Sequence, residues 1–223
     1  MENTQDHLHK AFHDNRLLVK VPQVTALFFQ FRSKKYTPAL YWIVVVLISI
    51  AGTLFTDNLT DNLNISLLTS SAVWAILLAL TFAGWYLSEK TLSIHSIYTN
   101  RREAFYWLTI LFTFALGTGV GDLIAERFSL GYGISFFIFA GAIALLALLW
   151  KLNVVNHVFA FWAVYVVTRP LGAAIGDQMA QNDPKYGGWG LGTTKTSLIF
   201  LSAILTLVIF LSITKRDQIK LES

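Results

Sequence analysis

The sequence predicts an all-α fold, a polytopic membrane helical bundle of six transmembrane helices that form three parallel two-helix repeats, with both termini in the cytoplasm. Of the 223 residues, 55% are hydrophobic and 13% are charged, whereas soluble domains average about 25% charged residues. The hydrophobic residues also fall into six blocks, each close to the roughly 20 residues that a helix needs to cross a bilayer. A spaced motif that occurs three times defines the repeats. One membrane domain is therefore expected.

The six predicted spans follow each other closely along the chain. They lie at residues 39–57, 67–88, 104–125, 132–150, 156–177 and 194–214. Each block is hydrophobic around most of its circumference, unlike an amphipathic surface helix. Because the blocks lack the period-two alternation of barrel strands, helices are predicted. The chain then divides into a polar basic cytoplasmic segment at 1–38, a membrane domain at 39–217 and a tail at 218–223.

Basic residues are distributed unevenly between the two sides of the predicted bundle. Thirteen of the 17 Lys and Arg residues fall on the side of the termini: Lys10, Arg16, Lys20, Arg32, Lys34, Lys35, Lys90, Arg101, Arg102, Lys151, Lys215, Arg216 and Lys220. Cytoplasmic segments of membrane proteins carry such an excess, so both termini are placed in the cytoplasm. The net charge of +4 is thereby explained as a topology signal, and no nucleic-acid partner is expected.

The spaced motif occurs once in each odd-numbered span. An aromatic–Trp pair is followed, ten residues after the Trp, by Gly, and five residues later by Asp. The copies are Tyr41-Trp42, Gly52 and Asp57; Tyr106-Trp107, Gly117 and Asp122; and Phe161-Trp162, Gly172 and Asp177. Each repeat (about residues 39–103, 104–155 and 156–217) starts and ends at the cytoplasmic side, so all three are predicted to point the same way. The Trp residues are expected in the interfacial belt, and each Asp lies roughly 22 Å further along its helix.

These strings resemble a known family. The three GxxxxD units, the segments GTLFTDNLTDNL and SEKTLSIHSIYTNRREAFYW, and FWAVYVVTRPLGAAIGD with GLGTTKTSLIF are similar to uncharacterised bacterial integral membrane proteins built from a tandem two-helix repeat of unknown function. The resemblance covers roughly residues 36–217 and implies an inner-membrane location. Members usually carry four repeats, whereas here residues 21–25 and 29–33 resemble only the opening and the end of a first one. The chain is therefore expected to form a homo-oligomer, or to accept a partner chain that completes the ring of repeats.

The three Asp residues are the main candidates for a functional site. Steps of four along a helix keep one face, and here they give polar stripes: Ser49, Thr53, Asp57 and Asp61; Thr118, Asp122 and Glu126; and Arg169, Asp177 and Gln181. Acids inside a membrane are costly and usually face the bundle interior or an aqueous cavity. Asp57, Asp122 and Asp177 are therefore predicted to form a carboxylate cluster near Thr53 and Thr118, with Asp61, Glu126 and Gln181 as an outer layer. Such oxygen atoms suit a hard divalent metal ion, held by the three Asp residues, or a proton.

Two functions fit this cluster. The first is a small inner-membrane transporter or channel component that passes a cation, either a divalent metal or a proton-coupled ion. The alternative is a non-transporting membrane scaffold or partner subunit in which the acids are structural and pair with Arg169 or cap loops. Arg169 lies two turns before Asp177 and is the candidate counter-charge in both cases. The adjacent Pro170 predicts a kink.

The remaining polar segments give weaker indications. Glu89 and His95 follow the second span on the cytoplasmic side, and form either an interfacial loop with ion pairs or a gate, since His titrates near neutral pH. Residues 178–194 form a flexible Gly-rich outer loop, interpreted as a turn shared between repeats or as a lid. The chain lacks Cys and has no nucleophile-elbow, HExxH or phosphate-loop motif. We therefore expect neither an enzyme nor a cofactor, and the lipid bilayer as the main partner.

Overall fold

The computed structural model of the chain is helical wherever the sequence predicts a membrane span. It describes Thr25, Gln30, Arg32 and residues 37–94, 99–183 and 185–214. The six helices are α1 Pro38–Asp57, α2 Leu67–Glu89, α3 Asn100–Asp122, α4 Gly131–Lys151, α5 His157–Ala180 and α6 Thr193–Thr214. All six are long and apolar enough to cross a membrane, and the described residues form no β-strand. The predicted all-α, multi-pass membrane fold is confirmed. The remnant of a further repeat predicted at residues 21–33 lies outside the described residues, apart from three single positions.

The helix starts follow local sequence signals. Ser66, Thr99 and Asn156 precede α2, α3 and α5, and the side-chain oxygen of each accepts a hydrogen bond from the backbone N–H three residues later. These oxygens satisfy N–H groups that a helix start otherwise leaves unpaired. At the other end of α2, Lys90 adopts a left-handed conformation with φ of 57°, which ends the helix.

α1 and α3 continue beyond their motif Asp residues in an irregular way. One π-helical turn follows each of them, Asn58–Asn62 after α1 and Leu123–Arg127 after α3. Such turns are rare and occur frequently at functional sites. The third repeat lacks this feature, because α5 runs as an α-helix through Asp177 to Ala180.

Two compact units are distinguished along the chain and are described separately. The first comprises α1 up to Ala51 together with the chain from Ile204 onwards, and its described core includes Val44, Val45 and Ile48 of α1. The second comprises Gly52–Ala203. Every predicted site residue that the structure describes lies in this second unit.

Within the second unit, α3 and α5 each pack against both helices of the preceding repeat. α3 packs along α2 and contacts residues 52–57 of α1, while α5 packs against α3 and α4. The contacts of α3 with α5 advance in the same direction along both helices, from Gly117–Arg169 to Gly121–Ala173. These two helices are therefore parallel, as the repeat predicts.

An aromatic cluster holds α2, α3 and α5 together at the end where the motif Trp residues lie. Trp85 of α2 is fully buried; its ring stacks on Phe105, with centroids 6.2 Å apart, and meets Trp162 edge-on at 5.7 Å. The Trp162 indole N–H donates to the carbonyl oxygen of Leu92 at 2.8 Å. Trp107 and Trp162 are both buried within the chain; their expected place in the interfacial belt stays a prediction. Their large rings fill the space between helices.

Candidate functional site

The three motif Asp residues lie at or near the ends of the odd-numbered helices, and each is half-buried. Asp57 and Asp122 are the last residues of α1 and α3 before the π turns, and Asp177 lies in the last turn of α5. The motif therefore places an acid at the end of α3 and of α5 that is opposite the aromatic cluster. Each acid follows a run of apolar residues, so it ends a segment suited to a lipid environment.

Asp122 is the centre of a group of five carboxyls. The charges of Asp177, Glu126, Asp57 and Asp61 all act on it. Glu126 also acts on Asp177, and Asp61 acts on Asp57. The structure thus brings together the five acids that the sequence assigns to the cluster and its outer layer.

The five carboxyls do not form a compact metal site. Nowhere in the described ranges do three His, Cys, Asp or Glu side chains lie close enough together to hold a metal ion. A Ca²⁺ or Mg²⁺ ion bound by protein alone needs about six oxygen ligands at roughly 2.0–2.6 Å. The prediction that Asp57, Asp122 and Asp177 jointly bind one metal ion finds no support in this arrangement.

Two threonine hydroxyls lie one helical turn before the first two acids. The Oγ1 atoms of Thr53 and Thr118 are 3.3 Å apart, which joins α1 to α3. Thr118 also donates to the carbonyl oxygen of Phe114 in its own helix. The third repeat has Ala173 at this position. The polar lining below the acids is therefore built by the first two repeats.

Glu126 is held by Tyr132, a residue that the sequence analysis missed. Tyr132 is buried at the start of α4, and its hydroxyl donates to Glu126 Oε1 at 3.2 Å. Its backbone N–H donates to the carbonyl oxygen of Tyr186 in the outer loop at 3.1 Å. The preceding Gly131 has φ of +77°, and a Cβ there would lie 2.8 Å from the same oxygen. The Gly-Tyr-Gly string at 131–133 was the available clue, because only Gly fits this approach.

The Gly-rich outer loop is fixed to the end of α5. Its N–H groups donate to the last carbonyl oxygens of that helix and to the residue after it: Trp189 to Gln178, Leu191 to Met179, Gly192 to Ala180 and Gly190 to Gln181. Such carbonyls lack partners within the helix, so the loop caps α5. Gly188 has φ of +132°, and a Cβ there would overlap the carbonyl oxygen of Gln181. The glycines permit close backbone packing, which favours the turn hypothesis over a lid.

Arg169 contacts aromatic rings instead of carboxyls. Its guanidinium carbon lies 3.6 Å from the centroid of the Phe114 ring and 4.7 Å from that of Tyr165, and Nη2 donates to the Tyr165 hydroxyl at 2.5 Å. Within the described part of the chain no carboxylate pairs with Arg169, and its buried Nε has no hydrogen-bond partner. The predicted pairing with Asp177 is therefore not observed. The ring faces provide the electrostatic stabilisation of this cation.

Glu89, a further predicted polar residue, lies outside the acidic group. Glu89 bridges the end of α2 to the start of α3, since its Oε2 lies 2.6 Å from Arg102 Nε and its Oε1 lies 3.6 Å from Arg101 Nε. This matches the interpretation as an interfacial loop with ion pairs. His95, its predicted companion in a gate, lies outside the described residues. Gln181 is exposed and directly follows α5.

Buried hydroxyls at the starts of the even-numbered helices were also missed. Ser70, Ser135 and Thr196 are all buried. Ser70 and Ser135 each follow their motif Asp by 13 residues, and Thr196 lies after the longer loop of the third repeat. The Ser135 hydroxyl donates to the Gly131 carbonyl oxygen. This recurrence was visible in the sequence as a hydroxyl residue near the start of each even-numbered span.

Comparison with known families agrees with the repeat. A family model described as Repeat of Unknown Function (DUF347) matches residues 40–91, 105–154 and 160–217. Each match contains one aromatic–Trp pair with its Gly and Asp, so the predicted tandem repeat is confirmed. No curated protein and no solved structure matches the chain. With three matches that together cover most of its length, the chain belongs to the family of proteins built from this repeat of unknown function.

Proposed function

We propose that the protein is a small transporter or channel component of a bacterial inner membrane, with cytoplasmic termini, which moves a small cation past Asp122. The favoured species is a proton, or an ion coupled to one, because the acids are not arranged to enclose a divalent metal. The roles assigned to the acids are binding and transfer, and no residue is assigned a catalytic role.

The observation that carries this proposal is the group of five carboxyls around Asp122. In the part of the chain that the structure describes, no Lys or Arg forms an ion pair with any of the five. Ionised carboxyls at membrane depth are expensive to bury. Repulsion between neighbouring carboxylates is relieved when one of them binds a proton or another cation. A group of this kind therefore favours cation binding over a purely structural role.

The neighbours of Asp122 along α3 supply further oxygen atoms. Thr118, one turn earlier, shares a hydroxyl contact with Thr53. Glu126, within the π turn that follows, accepts the hydrogen bond from Tyr132. A cation moving along this side of α3 would meet a hydroxyl pair, then Asp122, then a carboxylate–phenol pair. Asp57 of the first repeat and Asp177 of the third repeat lie beside Asp122.

The test is flux into proteoliposomes that contain the purified full-length chain. Proton entry is followed with a trapped pH dye under a potassium diffusion potential, and Mn²⁺ entry is followed with a trapped metal dye. We expect proton flux, or proton-coupled ion flux, in the wild type. Asp122→Asn should lower it by about a hundredfold, the lower range for loss of a positioned proton-transfer group. Asp122→Glu should restore part of the flux.

Asp183→Asn is the matched control. Asp183 lies in the outer loop, and its Oδ1 accepts the backbone N–H groups of Lys185 and Tyr186. An Asn oxygen accepts the same bonds, so this variant should fold and transport as the wild type does. Absence of flux for every cation tested would overturn the transporter proposal and support the scaffold alternative. Equal flux in a well-folded Asp122→Asn protein would overturn the role of the carboxyls.

A further inference from the structure

The packing of the second unit follows a rule that the third repeat does not show within the described residues. α3 packs against α2 and the end of α1, and α5 packs against α3 and α4. Each of these odd-numbered helices thus covers both helices of the repeat before it. No described odd-numbered helix follows the third repeat. Consistently, Thr196 is the only buried residue within the described α6.

The motif glycines of the first two repeats form the same interface with the next repeat, and the motif glycine of the third repeat forms none with the described residues. A Cβ on Gly52 would lie 2.6 Å from Phe114 Cβ and 3.0 Å from the Ala115 nitrogen. A Cβ on Gly117 would meet Arg169 and Pro170 in the same way. These contact residues stand three and two positions before the motif Gly of the next repeat.

Gly172 is the third member of this series, and its face is open. It is exposed, whereas Gly52 and Gly117 are buried. No described atom lies within 4 Å of a Cβ built on Gly172 or on Gly176, one turn later. In the first two repeats the corresponding positions, Gly52 with Thr56 and Gly117 with Gly121, hold the next odd-numbered helix.

The complementary face belongs to α1, the odd-numbered helix that no described repeat precedes. Its residues three and two positions before the motif Gly are Ser49 and Ile50. Ile50 is 39% exposed, whereas its counterpart Ala115 in α3 is 0% exposed because Gly52 and Thr56 cover it. The chain therefore carries both halves of one recurring interface, each with exposed surface.

We propose that the open face of α5 around Gly172 binds α1 of a second copy of this chain, through Ser49 and Ile50 of that copy. The second copy's α1 would also cover α6, as α3 covers α2 and α5 covers α4. Interfaces of this head-to-tail kind close into a ring when the rotation permits. Small residues at the crossing allow the close approach that such membrane contacts use. Another repeat protein or lipid alone are the competing occupants.

Cysteine cross-linking tests the contact directly, because the chain has no native Cys. Ser49→Cys and Gly172→Cys are made in separate chains with different tags, co-expressed and oxidised in the membrane, because the residue three positions before the motif Gly brings its Cβ nearest to the Gly of the preceding repeat. A disulfide requires Cβ atoms about 3.5–4.5 Å apart, so we expect a covalent dimer that carries both tags. Ser49→Cys paired with Gly141→Cys is the control, since Gly141 is also an open position within a helix, on α4. No dimer from the first pair, or equal amounts from both pairs, would overturn the proposal.

A second measurement separates the interface from the fold. Gly172→Leu adds a side chain where the single chain has free space, so its melting temperature should match that of the wild type. Its dimer should nevertheless dissociate at least about tenfold more readily, a change of about 1.4 kcal/mol, since overfilling a close contact is destabilising. Gly141→Leu should leave both properties unchanged. Single-molecule photobleaching in bilayers counts the copies; a monomeric wild type, or a Gly172→Leu protein that dimerises normally, would contradict the inference.

Discussion

Gly117 in the second repeat and Gly172 in the third repeat occupy the same place in the motif, but their surroundings differ completely. Gly117 is buried against Arg169 and Pro170 of the next repeat, whereas Gly172 is exposed with no described atom near its Cβ position. Both helices meet the same local requirements, so helix propensity does not explain the difference. What differs is the presence of a following repeat. In this fold the environment of a residue is thus set by its repeat number as much as by its sequence context.

The acidic ends of the second and third repeats also differ in structure. After Asp122 the chain makes a π turn that carries Glu126, which accepts a hydrogen bond from Tyr132. After Asp177 the helix simply ends, and the outer loop folds back to cap it. The second repeat therefore has a layered group of acids, while the third contributes a single acid to it. This asymmetry makes Asp122 the centre of the group.

The largest expected effect is that of Gly117→Leu. The Cβ alone would overlap Arg169 Cβ and lie 3.1 Å from the Arg169 carbonyl carbon, and neither of these atoms can move without moving α5. We expect a loss of about 3 kcal/mol or more, the upper range for overpacking, seen as aggregation on size-exclusion chromatography in detergent. Gly172→Leu, at the same motif position, should elute as a folded protein. If both variants behaved alike, the contrast between the two repeats would be false.

The sequence predicted the repeated architecture well because its causes are local. Apolar block length and the spacing of Trp, Gly and Asp are both features of single helices. The partners of those residues could not be predicted, since they depend on which helices become neighbours. Arg169 illustrates this point: its spacing from Asp177 suggested a pair, but the Phe114 ring of α3 lies 3.6 Å from its guanidinium carbon. Tyr132 was missed for the same reason, because its role depends on Glu126 and the outer loop.

A smaller effect is expected from the hydrogen bond that joins α1 to α3. Thr56 is buried and its Oγ1 donates to the carbonyl oxygen of Ala115 at 2.8 Å. Thr56→Val keeps the shape and removes this bond, so we expect a loss of about 0.6–1.7 kcal/mol, measured by reversible unfolding in mixed micelles. Thr168→Val is the control, because that exposed hydroxyl bonds only to Val164 in its own helix. An equal loss in both variants would show that the hydrogen bond between helices contributes no more stability than one within a single helix.

The smallest expected effect concerns the ion pairs between α2 and α3, which have no counterpart in the described part of the third repeat. Arg102 Nε lies 2.6 Å from Glu89 and its side chain is 23% exposed, whereas Arg101 Nε lies 3.6 Å away on a side chain that is 67% exposed. We expect Arg102→Gln to lower the melting temperature by about 2 °C and Arg101→Gln to leave it unchanged, as exposed pairs contribute little. High salt should remove the difference, since it screens such pairs. A larger effect from Arg101→Gln would mean that the outer of the two arginines, rather than the inner one, joins the first repeat to the second.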